Sequence, residues 1–216
     1  FDAVSMNIDD IIDLNEIKVA VILLGDTNPE SCYINALASE ELNVTSIKRI
    51  IDRFLEHPIK VIFSSSEFVY EGKNRNNKEA DNVAPVLLYG KQKVKIEQYL
   101  EEHIENFLIL RCGKIYGSEI GDRTMFTSWF ESIKEGVVEM ICADDQYFSP
   151  IHYDDVIKVV RYVLHSNTKG IYNLGGPISA SRLEFLQMFL DEYGHNNVNV
   201  TSCSIDSFKV QEKRPR

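Results

Sequence analysis

The sequence has no long apolar run and no concentration of positive charge. Its 216 residues include 33 acids but only 23 lysines and arginines, for a net charge of −10. The strongest apolar run, residues 17–25, includes a lysine and is far shorter than the roughly 18 to 20 residues of a membrane helix. Binding to nucleic-acid phosphates needs a basic surface, which this balance disfavours. We therefore expect neither a membrane span nor a nucleic-acid partner.

Cysteine is also sparse, and a secretory signal is not visible. The four cysteines are widely separated and form no CxxC pair, so the sequence predicts no metal site and no disulfide framework. The first residues are acidic and lack the basic start and apolar core of a signal peptide. These features predict a cytoplasmic protein with reduced thiols.

Three nearly continuous apolar runs predict strands that are covered on both faces, as in parallel sheets. They lie at residues 17–25, 59–66 and 107–111, and residues 42–57 and 89–104 between them carry apolar residues at helical spacing. Because strand and helix alternate, the sequence predicts an α/β fold with a doubly wound parallel sheet.

The second half of the chain mixes shorter elements and predicts a smaller lobe interleaved with the main sheet. We expect helices at residues 123–135, 155–165 and 181–193, and strands at residues 137–142 and 170–174. Asp154 or Asp155 should cap the second of these helices, because a carboxylate accepts hydrogen bonds from free backbone N–H groups. The polar residues 71–81 predict a surface loop.

Tyr89 and Lys93 are four residues apart and share one face of a predicted helix. A neighbouring ammonium lowers the pKa of a phenol from about 10, which would let Tyr89 exchange protons near neutral pH. Ser66 ends the preceding strand, and doubly wound sheets bind ligands at strand carboxyl ends. We expect Ser66 and Tyr89 to meet at one carbonyl oxygen while a nicotinamide delivers hydride. Alternatively, the serines only end a strand and Tyr89 packs under a loop.

Several motifs along the chain resemble one enzyme family. They are residues 61–72, Lys78-Glu-Ala-Asp81, Leu88-Tyr-Gly-Lys-Gln-Lys93, Ser149-Pro150-Ile151-His152 with Asp155-Val156, Tyr172-Asn173 and Arg214-Pro215. The pattern resembles the extended short-chain dehydrogenase/reductases of the NAD-dependent epimerase/dehydratase superfamily. Within them it is similar to the dTDP-4-dehydrorhamnose reductase branch and to the regulatory β-subunit of methionine adenosyltransferase.

The resemblance implies a Rossmann-like cofactor domain in residues 1–118 and a mostly substrate-binding lobe in residues 119–216. It implies a catalytic trio of Ser66, Tyr89 and Lys93. Contacts to NADP or NAD are expected from Leu24, Gly25, Ser64, Ser65, Tyr89, Lys93 and Cys112, and contacts to a nucleotide sugar from Glu67, Lys114 and Arg214. Arg111 is expected to be a structural ion-pair residue, and a homodimer is compatible with the family.

The residues after Ser66 favour reduction over the family's other reactions. Phe68 follows Glu67, so the second carboxylate of the dehydratases is absent, and the length of residues 66–72 resembles the reductases. The resemblance therefore implies an NAD(P)H-dependent reductase of a nucleotide-linked 4-keto sugar, in nucleotide-sugar or surface polysaccharide biosynthesis. A noncatalytic regulatory subunit that binds the cofactor, and a nucleotide-sugar epimerase, are the alternatives.

Two features depart from the family pattern. The sequence contains no GxxGxxG turn, and residues 1–10 resemble the segment after the family's second strand. We therefore expect one βαβ unit, on the order of 30 residues or more, to be missing. Lys114 stands where the rhamnose-forming reductases carry an aromatic residue. It could meet a carboxylate or diphosphate, with Arg123, Arg214 and Arg216 as further donors, or it could be a solvated surface lysine.

Overall fold

The computed structural model describes residues 1–195, 197–212 and 214–215. The helices are α1 (Pro29–Ile34), α2 (Ala36–Glu40), α3 (Ser46–Phe54), α4 (Leu88–His103), α5 (Met125–Lys134), α6 (Tyr153–Leu164) and α7 (Arg182–Tyr193). The strands are β1 (Val19–Ile22), β2 (Lys60–Ser66), β3 (Phe107–Cys112), β4 (Ile115–Tyr116), β5 (Glu139–Ala143), β6 (Tyr147–Phe148), β7 (Ile151–His152), β8 (Gly170–Leu174), β9 (Ala180–Ser181) and β10 (Asn199–Cys203). A π-helical turn, Glu41–Thr45, joins α2 to α3.

The central sheet has four parallel strands in the order β1-β2-β3-β8. Its register pairs Ser66 with Cys112, and Cys112 with Leu174. Three neighbouring strands therefore end at the same edge, which is where doubly wound sheets bind their ligands.

Both faces of this sheet are covered, which explains its nearly continuous apolar strands. Val61 and Phe63 of β2 belong to a core cluster that includes residues of α3 and α4. Ile62, which points to the opposite face, belongs to a second cluster with Val163 of α6. The α/β fold with a parallel sheet is thus confirmed.

The second half of the chain has its own aromatic core. Trp129 of α5, Phe148 of β6, and Phe185 and Phe189 of α7 belong to one buried cluster. Strands β5 and β10 form a parallel pair beside it, while β6 pairs with β9 antiparallel. The strand β8 nevertheless belongs to the main sheet, so the second half of the chain also contributes a strand to that sheet.

Most predicted elements are confirmed, including the helix of residues 42–57, which the π-helical turn and α3 form. The helices α1 and α2 were not predicted; α1 starts with Asn28 as its N-cap and a proline in its first turn. One expectation was wrong. The N-cap of α6 is His152, whose ring accepts a hydrogen bond from the Asp154 N–H at 3.3 Å. Asp154 and Asp155 instead lie in the first turn, where negative charge still favours the helix.

The described residues include no helix that is both long and apolar enough to span a membrane. Within the same ranges, no group of three or more histidine, cysteine or acidic side chains is arranged to hold a metal ion. Residues 71–81 form neither helix nor strand, which confirms the loop. Arg216, one of the predicted donors, lies outside the described residues.

Candidate active site

Ser66 and Tyr89 are brought together where β2 ends and α4 begins. The Ser66 hydroxyl accepts a hydrogen bond from the Phe68 N–H at 3.2 Å, which starts the short helical turn Glu67–Val69, and both Ser66 and Tyr89 line the cavity described below. A Cβ at Gly90 would lie 2.1 Å from the Phe68 carbonyl oxygen. Only glycine therefore lets the start of α4 pack this closely against the turn that follows Ser66.

Lys93 lies one helical turn beyond Tyr89 and is almost completely buried. Its Nζ donates a hydrogen bond to the Ser64 carbonyl oxygen at 2.8 Å and lies 5.6 Å from the centre of the Tyr89 ring. Burial lowers the pKa of this ammonium to about 8, because removal from water penalises the charged form. Lys93 remains mainly protonated at neutral pH.

The expectation that Lys93 lowers the pKa of Tyr89 was wrong for this structure. Burial raises the pKa of the Tyr89 phenol well above its ordinary value, and the nearby Cys32 adds to the rise, while the nearby Ser66 hydroxyl opposes it. The Lys93 ammonium is held by a backbone carbonyl and does not bond to the phenol. Tyr89 is therefore a neutral phenol that can donate a proton.

The phenol faces a cavity of about 700 Å³. Of the predicted site residues, Ser64, Ser65, Ser66, Glu67, Tyr89, Cys112, Lys114 and Arg214 contribute to its wall, whereas Leu24, Gly25 and Lys93 do not. The loop after β1 instead reaches the cavity through Thr27, Asn28 and Pro29. The cofactor contacts of Leu24 and Gly25, which lie just before Thr27 in this loop, stay a prediction.

Ser65 has a different side-chain environment from its two neighbours. Its hydroxyl donates to the buried Glu97 carboxylate, so this side chain points into the protein and not toward a ligand. Glu97 also accepts hydrogen bonds from Arg111, whose Nη2 lies 2.7 Å from Oε2, and both side chains are at most 4% exposed. The structural ion pair predicted for Arg111 is confirmed.

Glu67 and Lys114 lie together on the cavity wall. Burial raises the pKa of Glu67 to about 7, although the Lys114 charge and its backbone N–H oppose the rise. Burial also lowers the pKa of Lys114, with Arg182 and Arg214 as neighbouring positive charges. The Lys114 side chain is nevertheless accessible to solvent, because it opens onto the cavity. Lys114 is thus positioned to meet a ligand rather than to cover the outer surface.

Further positive charges surround the same cavity. Its wall includes Arg75, Lys114, Arg123, Arg182 and Arg214. Sequence reasoning missed two of these. Arg75 lies in the polar loop, and its guanidinium carbon Cζ is 3.5 Å from the centre of the Tyr147 ring. Arg182 is the first residue of α7. The capping box of Ser181 and Glu184 marks where α7 begins, but nothing local in the sequence shows that this helix start faces the cavity.

Comparison with known proteins agrees with this architecture. The family model described as the RmlD substrate binding domain matches residues 7–216. The chain belongs to this family. The membership, with the motifs described above, confirms the resemblance to the extended short-chain dehydrogenase/reductases of the dTDP-4-dehydrorhamnose reductase branch.

Several curated relatives share the sequence at low identity. A dTDP-4-dehydrorhamnose reductase of Aggregatibacter actinomycetemcomitans is 23% identical over 189 residues, which cover 84% of this chain and 63% of the relative. A probable low-salt glycan biosynthesis reductase of Haloferax volcanii is 20% identical, covering 96% of this chain and 70% of the relative. The methionine adenosyltransferase 2 subunit beta of Bos taurus is 25% identical, covering 92% of this chain and 61% of the relative. The chain thus spans about two thirds of the length of these relatives.

Solved structures show the same fold. A dTDP-4-dehydrorhamnose reductase from Bacillus anthracis in complex with NADP aligns with a TM-score of 0.83 at 22% identity, covering 91% of this chain and 69% of that one. The dTDP-4-dehydrorhamnose reductase from Yersinia enterocolitica aligns with a TM-score of 0.85 at 17% identity, covering 92% of this chain and 70% of that one. MoeE5 in complex with UDP-glucuronic acid and NAD aligns with a TM-score of 0.79 at 18% identity, covering 99% of this chain and 80% of that one.

Proposed function

We propose that this protein is an NADP- or NAD-dependent reductase that acts on a nucleotide-linked 4-keto sugar. The observation that carries the proposal is that Ser66 and Tyr89 line one cavity, with the Lys93 Nζ 5.6 Å from the centre of the Tyr89 ring. Family membership and the named reductases among the relatives support it.

The protonation states of these residues suit reduction. A carbonyl oxygen that meets Ser66 and Tyr89 would accept two hydrogen bonds, which polarise it and stabilise the negative charge that develops as it is reduced. Tyr89 is neutral because its pKa is raised by burial, so it can give its proton to that oxygen. The charge of Lys93 then lies beside the phenolate that is left.

The residues at the strand ends fit the nicotinamide and ribose part of a dinucleotide cofactor. Ser64, Ser66 and Cys112 line the cavity at the carboxyl ends of β2 and β3, and the buried Lys93 donates a hydrogen bond to the Ser64 carbonyl oxygen. When bound, such a cofactor supplies the hydride. The sequence has no GxxGxxG turn for the cofactor diphosphate, so the fit concerns the reacting half alone. We assign cofactor binding mainly to residues 1–118 and substrate binding mainly to residues 119–216.

The charge of the cavity wall supports a nucleotide sugar as the substrate. Arginines and lysines bind phosphate through charge-assisted hydrogen bonds, and five of those that the structure describes line this cavity in a chain with a net charge of −10. The four cysteines are free thiols, in keeping with a reducing, cytoplasmic location. A homodimer stays a prediction.

Substitution of Tyr89 tests the proposal. Tyr89→Phe removes the proton donor and should lower turnover by about a hundredfold or more, measured as NADPH or NADH oxidation with a panel of nucleotide-linked 4-keto sugars. Tyr99→Phe on the same helix is the matched control, because the Tyr99 phenol bonds to Asp52 on the outer surface, and it should keep wild-type turnover. Full activity of Tyr89→Phe would contradict the assignment.

A noncatalytic regulatory subunit is the second candidate. It is favoured by the methionine adenosyltransferase 2 subunit beta relatives, one of which is 25% identical over 204 residues. Binding of NADPH without reduction of any sugar in the panel would support this candidate and contradict the reductase.

A further inference from the structure

A buried amide of the helix α4 has no part in the reaction described above. Gln92 lies between Tyr89 and Lys93 in sequence and is completely buried. Its carboxamide oxygen accepts a hydrogen bond from Asn43 Nδ2 at 2.8 Å, and its Nε2 donates to the Ser39 hydroxyl at 2.9 Å. Asn43 and Ser39 are also buried. A buried amide is costly unless its hydrogen bonds are made, and both ends of Gln92 are satisfied.

Asn43 continues this network to the loop that follows β1. Its Oδ1 accepts from the Asp26 N–H at 2.7 Å, and its Nδ2 donates to the Asp26 carbonyl oxygen at 2.9 Å. The Asn43 side chain therefore bonds to both the N–H and the carbonyl oxygen of Asp26. Gly25 makes this approach possible, since its φ is +137° and a Cβ there would lie 2.7 Å from Asn43 Oδ1.

Asp26 directly precedes the part of the loop that reaches the cavity, Thr27 to Pro29. The same network begins on α4, which carries Tyr89 on the cavity wall. Asn43 itself lies in the π-helical turn Glu41–Thr45, and such turns are frequent at functional sites. One continuous set of hydrogen bonds thus joins two walls of the cavity beneath its surface.

The network defines a single arrangement of donors and acceptors. Rotation of the Gln92 amide by half a turn would place its NH₂ group against the NH₂ group of Asn43, so only the observed orientation satisfies both residues. The Ser39 hydroxyl donates its own hydrogen bond to the Cys32 carbonyl oxygen at 3.0 Å. An aliphatic side chain of similar size would fill the space of Gln92 but would leave Asn43 and Ser39 each without one partner.

We propose that Gln92 is a positioning residue, which keeps the loop at Asp26 to Pro29 in register with the helix that carries Tyr89 and Lys93. It is completely buried, does not line the cavity and acts through Asn43. The functional consequence rests on the reductase proposed above, because the two walls would hold a cofactor against the proton donor. Small displacements of reacting groups are expensive, with about 1 Å costing on the order of a hundredfold in rate.

The test compares Gln92→Met, which keeps the length and removes the amide, with Gln98→Met at an exposed position of the same helix. Hydrogen exchange of the Asp26 amide should become faster in Gln92→Met and stay unchanged in Gln98→Met. Turnover in Gln92→Met should fall by about tenfold or more at temperatures well below unfolding, with a smaller change in KM. Unchanged exchange and turnover in a folded Gln92→Met would overturn the proposal.

Gln92→Glu adds a pH-dependent rescue. A protonated carboxyl keeps one acceptor for Asn43 and one donor for Ser39, whereas the carboxylate loses the donor, and burial raises the pKa of such a group. The protection of the Asp26 amide is its exchange rate compared with that of an unfolded chain at the same pH. In Gln92→Glu this protection should approach the wild-type value at low pH and decrease as the pH rises, while in Gln92→Met it should stay low throughout. If Gln92→Met fails to fold, Ser39→Ala removes one end of the network and should show a weaker form of the same exchange change.

The exchange measurement needs no substrate, so it separates the two proposals. A wild-type protein that reduces no sugar, but whose Gln92→Met variant exchanges faster at Asp26, would contradict the reductase and retain the link between the helix and the loop. An active wild type whose Gln92→Met variant has the same turnover and the same exchange at Asp26 would support the reductase and contradict the positioning role of Gln92.

Discussion

Burial governs the acid-base behaviour of the residues around the cavity. It raises the pKa of the Tyr89 phenol, lowers that of the Lys93 ammonium to about 8, and raises that of the Glu67 carboxyl to about 7. All three shifts favour the uncharged form, as expected when water is removed from an ionisable group. Near neutral pH, Tyr89 therefore retains its proton, Lys93 is mainly charged, and Glu67 is divided between its two forms.

Glu67 should make the stability of the protein depend on pH. Its pKa is raised from 4.5 to about 7 on folding, so the folded state holds this proton more tightly than the unfolded state. The resulting stabilisation is complete below pH 4.5 and is lost as the pH rises through about 7. Glu67→Gln carries no titrating group, and its stability relative to the wild type should increase between pH 5 and pH 8.

Thermal unfolding at both pH values measures this difference. Glu101→Gln, which changes an exposed carboxyl on α4, is the control and should show the same difference from wild type at both pH values. A Glu67→Gln variant whose difference from the wild type is independent of pH would show that folding does not raise the pKa of this carboxyl.

At the level of elements, the sequence predicted regular structure wherever apolar residues are periodic. The runs that form β2 and β3 and the helical spacing of α4 led to the sheet and to the pair Ser66 and Tyr89. The helices α1 and α2 were missed, because residues 29–40 are rich in small and polar side chains. The sequence Asn28-Pro29 was the available signal, since asparagine is a favoured N-cap and proline a favoured first residue.

Other features of the site could not be read from local patterns. The two-residue strands β4, β6, β7 and β9 are too short to show a period. Arg75 and Arg182 are distant in sequence, and only the tertiary fold brings both to the wall of one cavity. The direction of the Ser65 side chain depends on Glu97, which lies on another element. Such residues are found by tertiary structure alone.

The ion pair of Arg111 and Glu97 connects two elements of the site, β3 and α4. Both side chains are almost fully buried, and Arg111 also donates to the Tyr70 phenol at 2.8 Å and to the Glu79 carbonyl at 3.1 Å. Arg111→Met leaves a buried carboxylate without its partner and should lower the free energy of unfolding by about 3 to 5 kcal/mol. Urea-induced unfolding measures this loss.

The exposed pair of Arg53 and Asp9 provides the matched control. Their side chains are 40% and 37% exposed, with 2.8 Å between Nε and Oδ2. Exposed pairs contribute about 0 to 1 kcal/mol, so Arg53→Met should change the stability little. The double variant Arg111→Met with Glu97→Leu should recover part of the loss, because it no longer buries an unpaired charge. Equal losses for Arg111→Met and Arg53→Met would contradict this account.

At the scale of the whole molecule, two opposing fields act on an anionic ligand. The net charge of −10 repels it at long range, whereas the five positive side chains on the cavity wall attract it at contact. Salt screens both fields, with a Debye length of about 10 Å at 0.1 M. The sign of the salt effect on affinity therefore tells which field dominates. Because the positive charges line the cavity itself, we expect added salt to weaken binding of the diphosphate that the proposed substrate carries.

Arg182→Met tests the contribution of the cavity charges with UDP and thymidine diphosphate as probes. Loss of one charge-assisted contact of about 1.5 to 3 kcal/mol should raise Kd by about tenfold or more and should reduce the dependence of Kd on salt. Arg161→Met removes a charge of the same sign from an exposed position of α6 and should leave both quantities near their wild-type values. Calorimetric titration between low and high salt measures them. Tighter binding at high salt, or equal effects of the two variants, would show that the cavity charges do not hold the diphosphate.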